Sequence, residues 1–210
     1  MPPSPRKYVK IEAPANWQKL YENILEMRKD KTAPVDSMGC EKVQEMSRDP
    51  KIQRFHCLVS LMLSSQTKDE VNFAAMQRLR SQGLTVPFIL DVSDKTLGEL
   101  IYPVGFWRRK VVYLKKTAKI LEDKYDNDIP DNVDDLCKLP GVGPKMAHLC
   151  MNIAWKKQSG IGVDTHVHRI TNRLGKIWIF RECKKIILSF WFKVGLDLVV
   201  QRILKTLELH

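Results

Sequence analysis

The chain has 210 residues, and its 35 Lys and Arg residues outnumber its 24 Asp and Glu residues, so the formal net charge is +11 at pH 7. With 44% hydrophobic and 28% charged residues, the composition is typical of a globular protein rather than a disordered one. No apolar run reaches the roughly 18 residues of a transmembrane helix, and residues 1–10 lack the apolar core of a secretory signal. Neither membrane insertion nor secretion is expected.

The net charge indicates the class of binding partner, and the cysteines indicate the cellular compartment. A basic surplus of this size favours a polyanion such as nucleic acid, although a solvated basic surface would carry the same charge. The cysteines are odd in number and form no C-x-x-C pair, which is typical of reduced thiols in a cytosolic or nuclear protein and offers no ready zinc or iron–sulfur site. They are Cys40, Cys57, Cys137, Cys150 and Cys183.

The first half of the chain predicts helices separated by short breaks. Residues 1–15 contain four prolines and predict a flexible basic tail. Apolar residues recur at helical spacing from Trp17 to Met27, and residues 36–40 predict a turn. The run from Phe55 to Leu63 lacks the alternation of a strand, so it predicts a buried helix that continues into the helical period ending at Gly83.

The second half continues this pattern, and the fold class predicted is all-α. Pro87 is expected to prevent the helix from resuming after Gly83. Residues 102–105 (Tyr-Pro-Val-Gly) separate two later helices, and Asp131 is expected to cap a short helix. The helical patterns cover residues 96–101, 108–125, 131–137, 145–155 and 164–174.

The segment LPGVGPK, residues 139–145, predicts a hairpin between two helices. Pro140 ends the first helix, and Gly141 and Gly143 tolerate a positive φ. Pro144 suits the first turn of the second helix, where its missing N–H costs nothing. Such a hairpin directs backbone amides and the positive end of a helix at one point, which can bind a phosphate without reading sequence. A purely structural turn between packed helices is the alternative.

Lys145 and Asp164 form a candidate catalytic pair. Lys145 lies in the first turn of the second helix, where the backbone dipoles and burial would disfavour its ammonium form. A neutral lysine is a nucleophile that can form an imine with a sugar carbonyl. Asp164 opens the segment DTHVHR, where an N-cap is the commoner role for an aspartate. As a partner of Lys145 it would place a negative charge beside a developing oxocarbenium ion.

Three motifs together resemble the endonuclease III family, which comprises helix–hairpin–helix DNA glycosylases with an abasic-site lyase activity. The motifs are LMLSSQTKD at residues 61–69, LPGVGPKMA at residues 139–147 and VDTHVHR at residues 163–169. The order of three separate motifs makes the resemblance specific, and it extends from about Trp17 to Gly175. VDTHVHR is of the animal type.

The resemblance implies a helix–hairpin–helix glycosylase fold with two lobes. Residues 63–170 would form a helical barrel lobe, with the helix–hairpin–helix at about residues 133–155. Residues 16–62 with 171–210 would form a second helical lobe, of which the C-terminal part is atypical and incomplete.

Residue roles follow from the resemblance. Lys145 matches the Schiff-base nucleophile and Asp164 the catalytic carboxylate, while Asp69 resembles a position that lines the site. Gln66 matches the residue that fills the gap left by an everted nucleotide, and Phe106 falls where the family has an apolar wedge beside the unpaired base. The residues expected to contact DNA are Gln66, Phe106, Gly141, Val142, Gly143, His166 and Arg169.

Other readings of these residues stay open. Gln66 could cap a helix, Phe106 could belong to the core, and His166 could have a local hydrogen-bonding role. The basic clusters 108–110 and 115–116 could follow the DNA backbone or be solvated. Asp164, His166 and His168 imitate a metal cluster, but alternate positions on a helix point to different faces, so no metal site is predicted.

The C-terminal part departs from the family. Family members end with four cysteines that bind a [4Fe–4S] cluster, whereas Cys183 is the only cysteine after Gly175. One thiolate cannot hold a cluster that needs four, so the cluster is expected to be absent and no other cofactor is expected. Residues 176–210 do not resemble the family's helices. They either arise from alternative splicing or read-through, which is the interpretation we favour, or fold into helices that cover the exposed surface.

The function implied is that of a bifunctional DNA N-glycosylase and abasic-site lyase, hence a hydrolase and lyase, in base-excision repair. It would remove oxidised pyrimidines from damaged double-stranded DNA through a Lys145 Schiff base and β-elimination. The alternative is a non-catalytic helix–hairpin–helix DNA-binding module or an inactive truncated isoform. The nucleus is the expected compartment, with mitochondria as the alternative, and other repair proteins are further candidate partners.

Overall fold

The structure is a computed structural model that describes residues 16–40, 42, 49–160, 162–163, 169–170 and 173. The chain divides into two compact units, one of residues 32–164 and one that combines residues 1–31 with 165–210. Every regular element within the described residues is helical, which confirms the all-α prediction. None of the helices within these residues is both long enough and apolar enough to cross a membrane.

Nine helices follow one another along the described part of the chain, the first in the smaller unit and the other eight in the larger one. Their bounds are α1 Trp17–Met27, α2 Pro34–Met38, α3 Pro50–Ser64, α4 Asp69–Ser81, α5 Val86–Asp91, α6 Asp94–Ile101, α7 Trp107–Tyr125, α8 Val133–Leu136 and α9 Pro144–Ala154.

Helix α3 is the centre of the larger unit. All nine residues from Phe55 to Leu63 are buried, so the prediction of a buried helix over this run is confirmed. The helix packs against α4, α7 and α9, whose apolar faces include Leu79, Leu114 and Ala147. Each fully buried leucine contributes about 1.5–3 kcal/mol relative to exposure. A rigid α3 matters for the site, because the segment that follows its last turn carries Gln66.

Two breaks between helices differ from the sequence prediction. The chain does not run on helically from α3 into α4, because residues 65–68 leave the helix and Gln66 adopts a left-handed φ of 49°. Pro87 does not block a helix, since it lies in the first turn of α5, where no backbone N–H is needed for the helix ladder. Proline therefore starts an element here rather than ending one.

Two further boundaries also differ. Residues 34–38 form the short helix α2 where a turn was predicted from residue 36, with Pro34 at the first position and the Asp36 carboxylate accepting from the Ala33 N–H at 3.1 Å. Asn132 rather than Asp131 caps α8, and its side chain accepts from the Asp135 N–H at 2.9 Å.

The boundary between the two compact units lies between residues 31 and 32. Helices α2 and α3 therefore belong to the larger unit. The two-lobe division that the resemblance implies, with a boundary after residue 62, stays a prediction. Of the helix predicted over 164–174, residues 169, 170 and 173 are described and helical. The prediction about the atypical C-terminal part, residues 176–210, lies outside the described residues.

The buried His56 of α3 predicts a pH-dependent stability. Its Nε2 donates to the Leu84 carbonyl at 2.9 Å, and burial lowers its pKa below 6.5, with Arg80 adding to the effect. The unfolded chain takes up a proton near pH 6.5 that the folded chain resists, so the free energy of unfolding should fall as the pH drops through 6.5. The melting temperature at pH 7.5 and 5.5 should show this loss, and a His56→Gln variant should reduce it.

A part of the pH dependence should persist in that variant, because burial also lowers the pKa of His148. The melting temperature of the double variant, with His56→Gln and His148→Gln, should therefore depend even less on pH between pH 5.5 and 7.5. An unchanged slope in His56→Gln would contradict the assignment of a buried neutral imidazole at this position.

Candidate nucleic-acid interface and active site

Gln66 lies at the tip of a tight connection between two helices. Ser65 caps α3 and Lys68 precedes α4, so the connection is short, and its backbone is held by the Thr67 N–H donating to the Ser64 carbonyl at 3.2 Å. Gln66 has the left-handed φ of 49°, which is uncommon for a residue with a Cβ. Its side chain is exposed, and Ser65 occupies the capping position that the sequence left open for Gln66.

Phe106 occupies the equivalent position in a second tight connection, immediately before α7. It also has a left-handed φ, of 55°, and its backbone carbonyl accepts the Lys110 N–H at 3.1 Å. The side chain is 63% exposed, so the core interpretation of Phe106 does not hold, whereas Trp107 packs against the core. The exposed ring of Phe106 is therefore available for contact with a partner.

The two connections lie against each other. The Gly105 N–H donates to the Thr67 hydroxyl at 3.1 Å. A Cβ added at Gly105 would lie 2.3 Å from the Gln66 carbonyl oxygen, so only glycine permits this approach of the two backbones. Gln66 and Phe106, which are 40 positions apart in sequence, are therefore neighbours across one backbone contact.

Lys110 lies beneath this contact, whereas the sequence left a DNA contact and a solvated side chain open for the cluster 108–110. The side chain is buried, and its ammonium donates to the Leu63 carbonyl at 2.8 Å, the Ser65 carbonyl at 2.6 Å and the Thr67 hydroxyl at 3.3 Å. Burial lowers the pKa of Lys110 to about 8. The acceptors include a carbonyl of the last turn of α3, the negative end of the helix dipole, which favours the charged form.

A second lysine of α7 has the same kind of role away from the site. The ammonium of Lys115 donates to the Leu90 carbonyl at 3.0 Å and to the Val92 carbonyl, so it caps the end of α5. The sequence left two interpretations of Lys115 open, a DNA contact and a solvated side chain. These hydrogen bonds give Lys115 a structural role instead. Lys116 is exposed.

The predicted hairpin connects α8 to α9. The Val142 N–H donates to the Leu139 carbonyl at 3.1 Å, and Gly143 precedes α9 with Pro144 in its first turn. Val142 is buried and anchors the turn, so its side chain is a packing residue, while Gly141 is exposed. The positive end of the α9 dipole thus lies next to the turn, as an anion-binding hairpin requires.

Gly141 brings this hairpin against α7. It has a φ of 82°, and an added Cβ would lie 2.6 Å from Cδ2 of Tyr113. A cleft of about 250 Å³ opens at this place. It brings together three predicted site residues from distant segments of the chain, Gln66, Phe106 and Gly141, and adds the exposed Arg109. The cleft is lined by Met62, Ser65, Gln66, Phe106, Arg109, Lys110, Tyr113 and Gly141.

Lys145 lies in the first turn of α9, half-buried, directly after the hairpin. The chain that returns towards Asp164 passes over this turn, because an added Cβ at Gly162 would lie 2.9 Å from the Lys145 carbonyl oxygen and 3.2 Å from its Cγ. The same return segment is fixed further along α9, where Ser159 Oγ lies 3.0 Å from His148 Nδ1. These contacts thus hold Ser159 and Gly162 on the helix that carries Lys145.

Some of the remaining predicted site residues are described by the structure and others are not. Asp164 and His166 lie outside the described residues, as does His168. Arg169 is described as an exposed helical residue of the smaller unit. Asp69 is buried as the first residue of α4, three positions after Gln66.

The cysteines of the chain do not fit the iron–sulfur cluster of the family. A cluster needs four thiolates, and Cys183, the only cysteine after Gly175, lies outside the described residues. Cys57 and Cys150 are buried within the apolar core of the larger unit.

Sequence reasoning missed the structural roles of Thr67 and Lys110, which hold the site together, and it missed Tyr113, which lines the cleft. Arg109, which also lines the cleft, belongs to the basic cluster 108–110, for which a DNA contact was one of two interpretations. A signal for Lys110 was present, since it precedes the buried Leu114 by four positions and so falls on the apolar stripe of α7. A lysine on such a stripe requires acceptors. No comparable signal marks Thr67, whose partners come from distant positions.

Comparison with known proteins agrees with this geometry. The family model described as "HhH-GPD superfamily base excision DNA repair protein" matches residues 59–191. "Endonuclease III-like protein 1" of Gallus gallus is 60% identical over 171 residues, which is 81% of this chain and 60% of that protein. The chain thus spans less than two thirds of that relative's length. "Endonuclease III homolog" of Encephalitozoon cuniculi is 46% identical over 171 residues, 75% of this chain and 70% of the relative.

A solved structure shows the same fold. "Structure of a Trapped Endonuclease III-DNA Covalent Intermediate: Estranged-Adenine Complex" superimposes with a TM-score of 0.68 and 25% sequence identity, covering 92% of this chain and 85% of that chain. The predicted helix–hairpin–helix glycosylase fold is thereby confirmed. On the family match, the sequence identities and the shared fold, this chain belongs to the endonuclease III family of base excision DNA repair proteins.

Proposed function

We propose that the chain is a DNA glycosylase and abasic-site lyase that removes oxidised pyrimidines from double-stranded DNA. The observation that carries the proposal is the convergence of Gln66, Phe106 and Gly141, from three distant segments of the chain, on one cleft. Family membership supports the glycosylase class, and the related endonuclease III was captured as a covalent intermediate with DNA. The protein would act on DNA in the nucleus, with mitochondria as the alternative compartment.

The exposed pair Gln66 and Phe106 fits the physical demands of nucleotide eversion. Taking a nucleotide out of the duplex costs a few kcal/mol in stacking and pairing. An exposed amide that fills the vacated space and an aromatic ring that stacks on the unpaired base would offset part of this cost. The left-handed backbone at both residues directs them outward from rigid helix ends rather than from flexible loops.

The hairpin and the basic surface supply sequence-independent affinity. The start of α9 would bind a backbone phosphate through peptide N–H groups and the positive helix end. Arg109 at the cleft would neutralise a second phosphate. These contacts would hold the lesion-bearing strand so that the sugar of the everted nucleotide reaches Lys145, the first helical residue after Pro144.

Lys145 would act as the nucleophile and Asp164 as its partner. The amine attacks C1′, the glycosidic bond breaks and the base leaves with a proton, after which the sugar ring opens to an imine. The imine acidifies the C2′ proton, and its loss expels the 3′ phosphate in a β-elimination before water releases the enzyme. Asp164 follows Gly162 by two residues, a span of at most about 7 Å, and its charge would stabilise the developing oxocarbenium ion.

The direct test is a cleavage assay with two labelled duplexes. One carries a single 5-hydroxycytosine opposite guanine, and the other carries an abasic site at the same position. The proposal expects release of the modified base from the first duplex and a nick 3′ to the lesion in both. A folded, DNA-binding preparation that produces neither release nor a nick would overturn it.

Phe106→Ala tests the wedge role within this function. Loss of the ring removes the side chain that stacks on the unpaired base, so base release from the 5-hydroxycytosine duplex should slow by about 10- to 100-fold, equivalent to about 1–3 kcal/mol of stacking. The melting temperature should change little, because the ring is exposed.

Tyr102→Ala is the matched control for Phe106→Ala. Tyr102 is an equally exposed aromatic residue, at 61%, four positions earlier and outside the cleft. It should retain wild-type base release. Equal losses in the two variants would show that exposed aromatic area in general, rather than the wedge position, controls the rate.

A further inference from the structure

Thr67 and Lys110 form a closed hydrogen-bond network between the Gln66 and Phe106 connections. The Thr67 hydroxyl donates to the Ser65 carbonyl at 3.1 Å and accepts from the Gly105 N–H at 3.1 Å and from the Lys110 ammonium at 3.3 Å. Its one proton and two lone pairs are thereby all used. The Lys110 ammonium likewise uses all three of its protons, on one hydroxyl and two carbonyls.

We propose that Thr67 and Lys110 are positioning residues that clamp the Gln66 and Phe106 connections into one rigid unit and so set the spacing of the two side chains that enter the duplex. This inference rests on the proposed function, since it assigns a role within nucleotide eversion. Neither residue touches the substrate, and both act through the backbone that carries Gln66 and Phe106.

The clamp joins parts of the chain that would otherwise move separately. Lys110 ties α7 to the end of α3 from within the core, and Thr67 ties the α3–α4 connection to Gly105. The Gly105 backbone already lies in contact with Gln66, so a small shift of either connection changes the distance between the two inserted side chains. Buried networks in which every polar group is satisfied are rigid, because any displacement leaves a group unpaired.

Rigidity matters here because the two side chains must enter one base-pair step together. A misplacement of about 1 Å can cost on the order of 100-fold in rate. A flexible pair would also lose conformational entropy on insertion, and a clamped pair has lost it already on folding. The clamp should therefore affect substrates that require eversion and spare those that do not.

The experiment compares two substrates in the full-length chain. The first is the duplex with 5-hydroxycytosine, from which base release requires eversion, and the second is a single-stranded oligonucleotide with an abasic site, which requires none. Thr67→Val, which keeps the shape and removes the hydroxyl, and Lys110→Met should each lower the duplex rate at least about tenfold relative to the single-strand rate. Thr67→Ser, which restores the hydroxyl, should recover the wild-type ratio.

Lys115→Met is the matched control. Lys115 is on the same helix and also caps the end of another helix, so its loss should destabilise the chain in a similar way. The ratio of duplex to single-strand rates should nevertheless stay at the wild-type value. A wild-type ratio in Thr67→Val and Lys110→Met, or an equal fall in Lys115→Met, would overturn the clamp.

Amide hydrogen exchange without DNA separates the clamp from the proposed function. Thr67→Val should speed exchange at residues 65–67 and 105–106, whereas Lys115→Met should speed it at residues 90–93. If the wild-type chain cleaves neither substrate, the proposed function is overturned and exchange alone decides the clamp. Unchanged exchange at residues 105–106 in Thr67→Val would show that the hydroxyl does not hold the two connections together.

Discussion

Replacing Lys145 by alanine is expected to abolish strand cleavage at an abasic site, with a fall of at least about 1000-fold in the single-turnover rate. The amine is the group that forms the imine, and the protonated imine makes the C2′ proton far more acidic than the aldehyde of the free abasic site does. Affinity for the duplex should fall far less, since the hairpin backbone and Arg109 remain. Single-turnover cleavage and duplex binding, measured on the same preparation, check both halves of this expectation.

Lys138→Ala controls for the loss of one positive charge at the same hairpin. Lys138 immediately precedes the hairpin and is exposed, and its ammonium lies 2.6 Å from the Asp135 carboxylate. It does not line the cleft. Its variant should cleave at nearly the wild-type rate. If Lys145→Ala lost binding and cleavage in equal proportion, Lys145 would be a phosphate contact rather than the nucleophile. If cleavage survived, another group would have to form the imine.

A Gly141→Ala substitution should have the second largest effect, on stability and on DNA affinity together. Alanine at a φ of 82° costs roughly 1–2 kcal/mol, and its Cβ would also lie 2.6 Å from the Tyr113 ring. The ring lines the cleft with Gln66 and Phe106, so a displacement of the ring would change the shape of the cleft. We expect a lower melting temperature and about a tenfold weaker affinity for duplex DNA, equivalent to about 1.4 kcal/mol.

Gly83→Ala separates backbone strain from the change at the cleft. Gly83 has a similar φ of 79°, but an added Cβ would meet nothing within 4 Å. This variant should therefore lose stability through the left-handed backbone alone and bind DNA as the wild type does. Equal affinities of the Gly141→Ala and Gly83→Ala variants would contradict the role of the hairpin in binding.

The helices of the larger unit could be predicted from sequence because their apolar spacing is strong and local. The run Phe55–Leu63 is buried on every side and has no strand alternation, and the bounds of α7 follow from the periodicity of Val111, Leu114, Ala118 and Leu121. The hairpin could be predicted because its prolines and glycines have few other uses. Motif resemblance then supplied Gln66 and Phe106, which periodicity alone could not distinguish from a cap and a core residue.

The parts that could not be predicted depend on contacts between distant segments. The helical spacing of apolar residues continues through Gln66 in the sequence, but the helix breaks there in the structure. The left-handed backbone at Gln66 is stabilised by Lys110 and Gly105, which come from another part of the chain. Lys110 belongs to a basic run, and although it falls on the apolar stripe of α7, its acceptor at the end of α3 comes from a distant part of the chain. Likewise, Tyr113 and Gly141 line the cleft together because the hairpin, from a distant part of the chain, packs against the Tyr113 ring.

Borohydride trapping tests the central claim, the imine at Lys145, most directly. The wild-type chain is incubated with an abasic duplex and reduced, and the adduct is digested and mapped by mass spectrometry. The account predicts a covalent protein–DNA adduct on the peptide that contains Lys145, and its absence in Lys145→Ala. An adduct mapped to another lysine, or no adduct from a folded chain that binds the duplex, would contradict it.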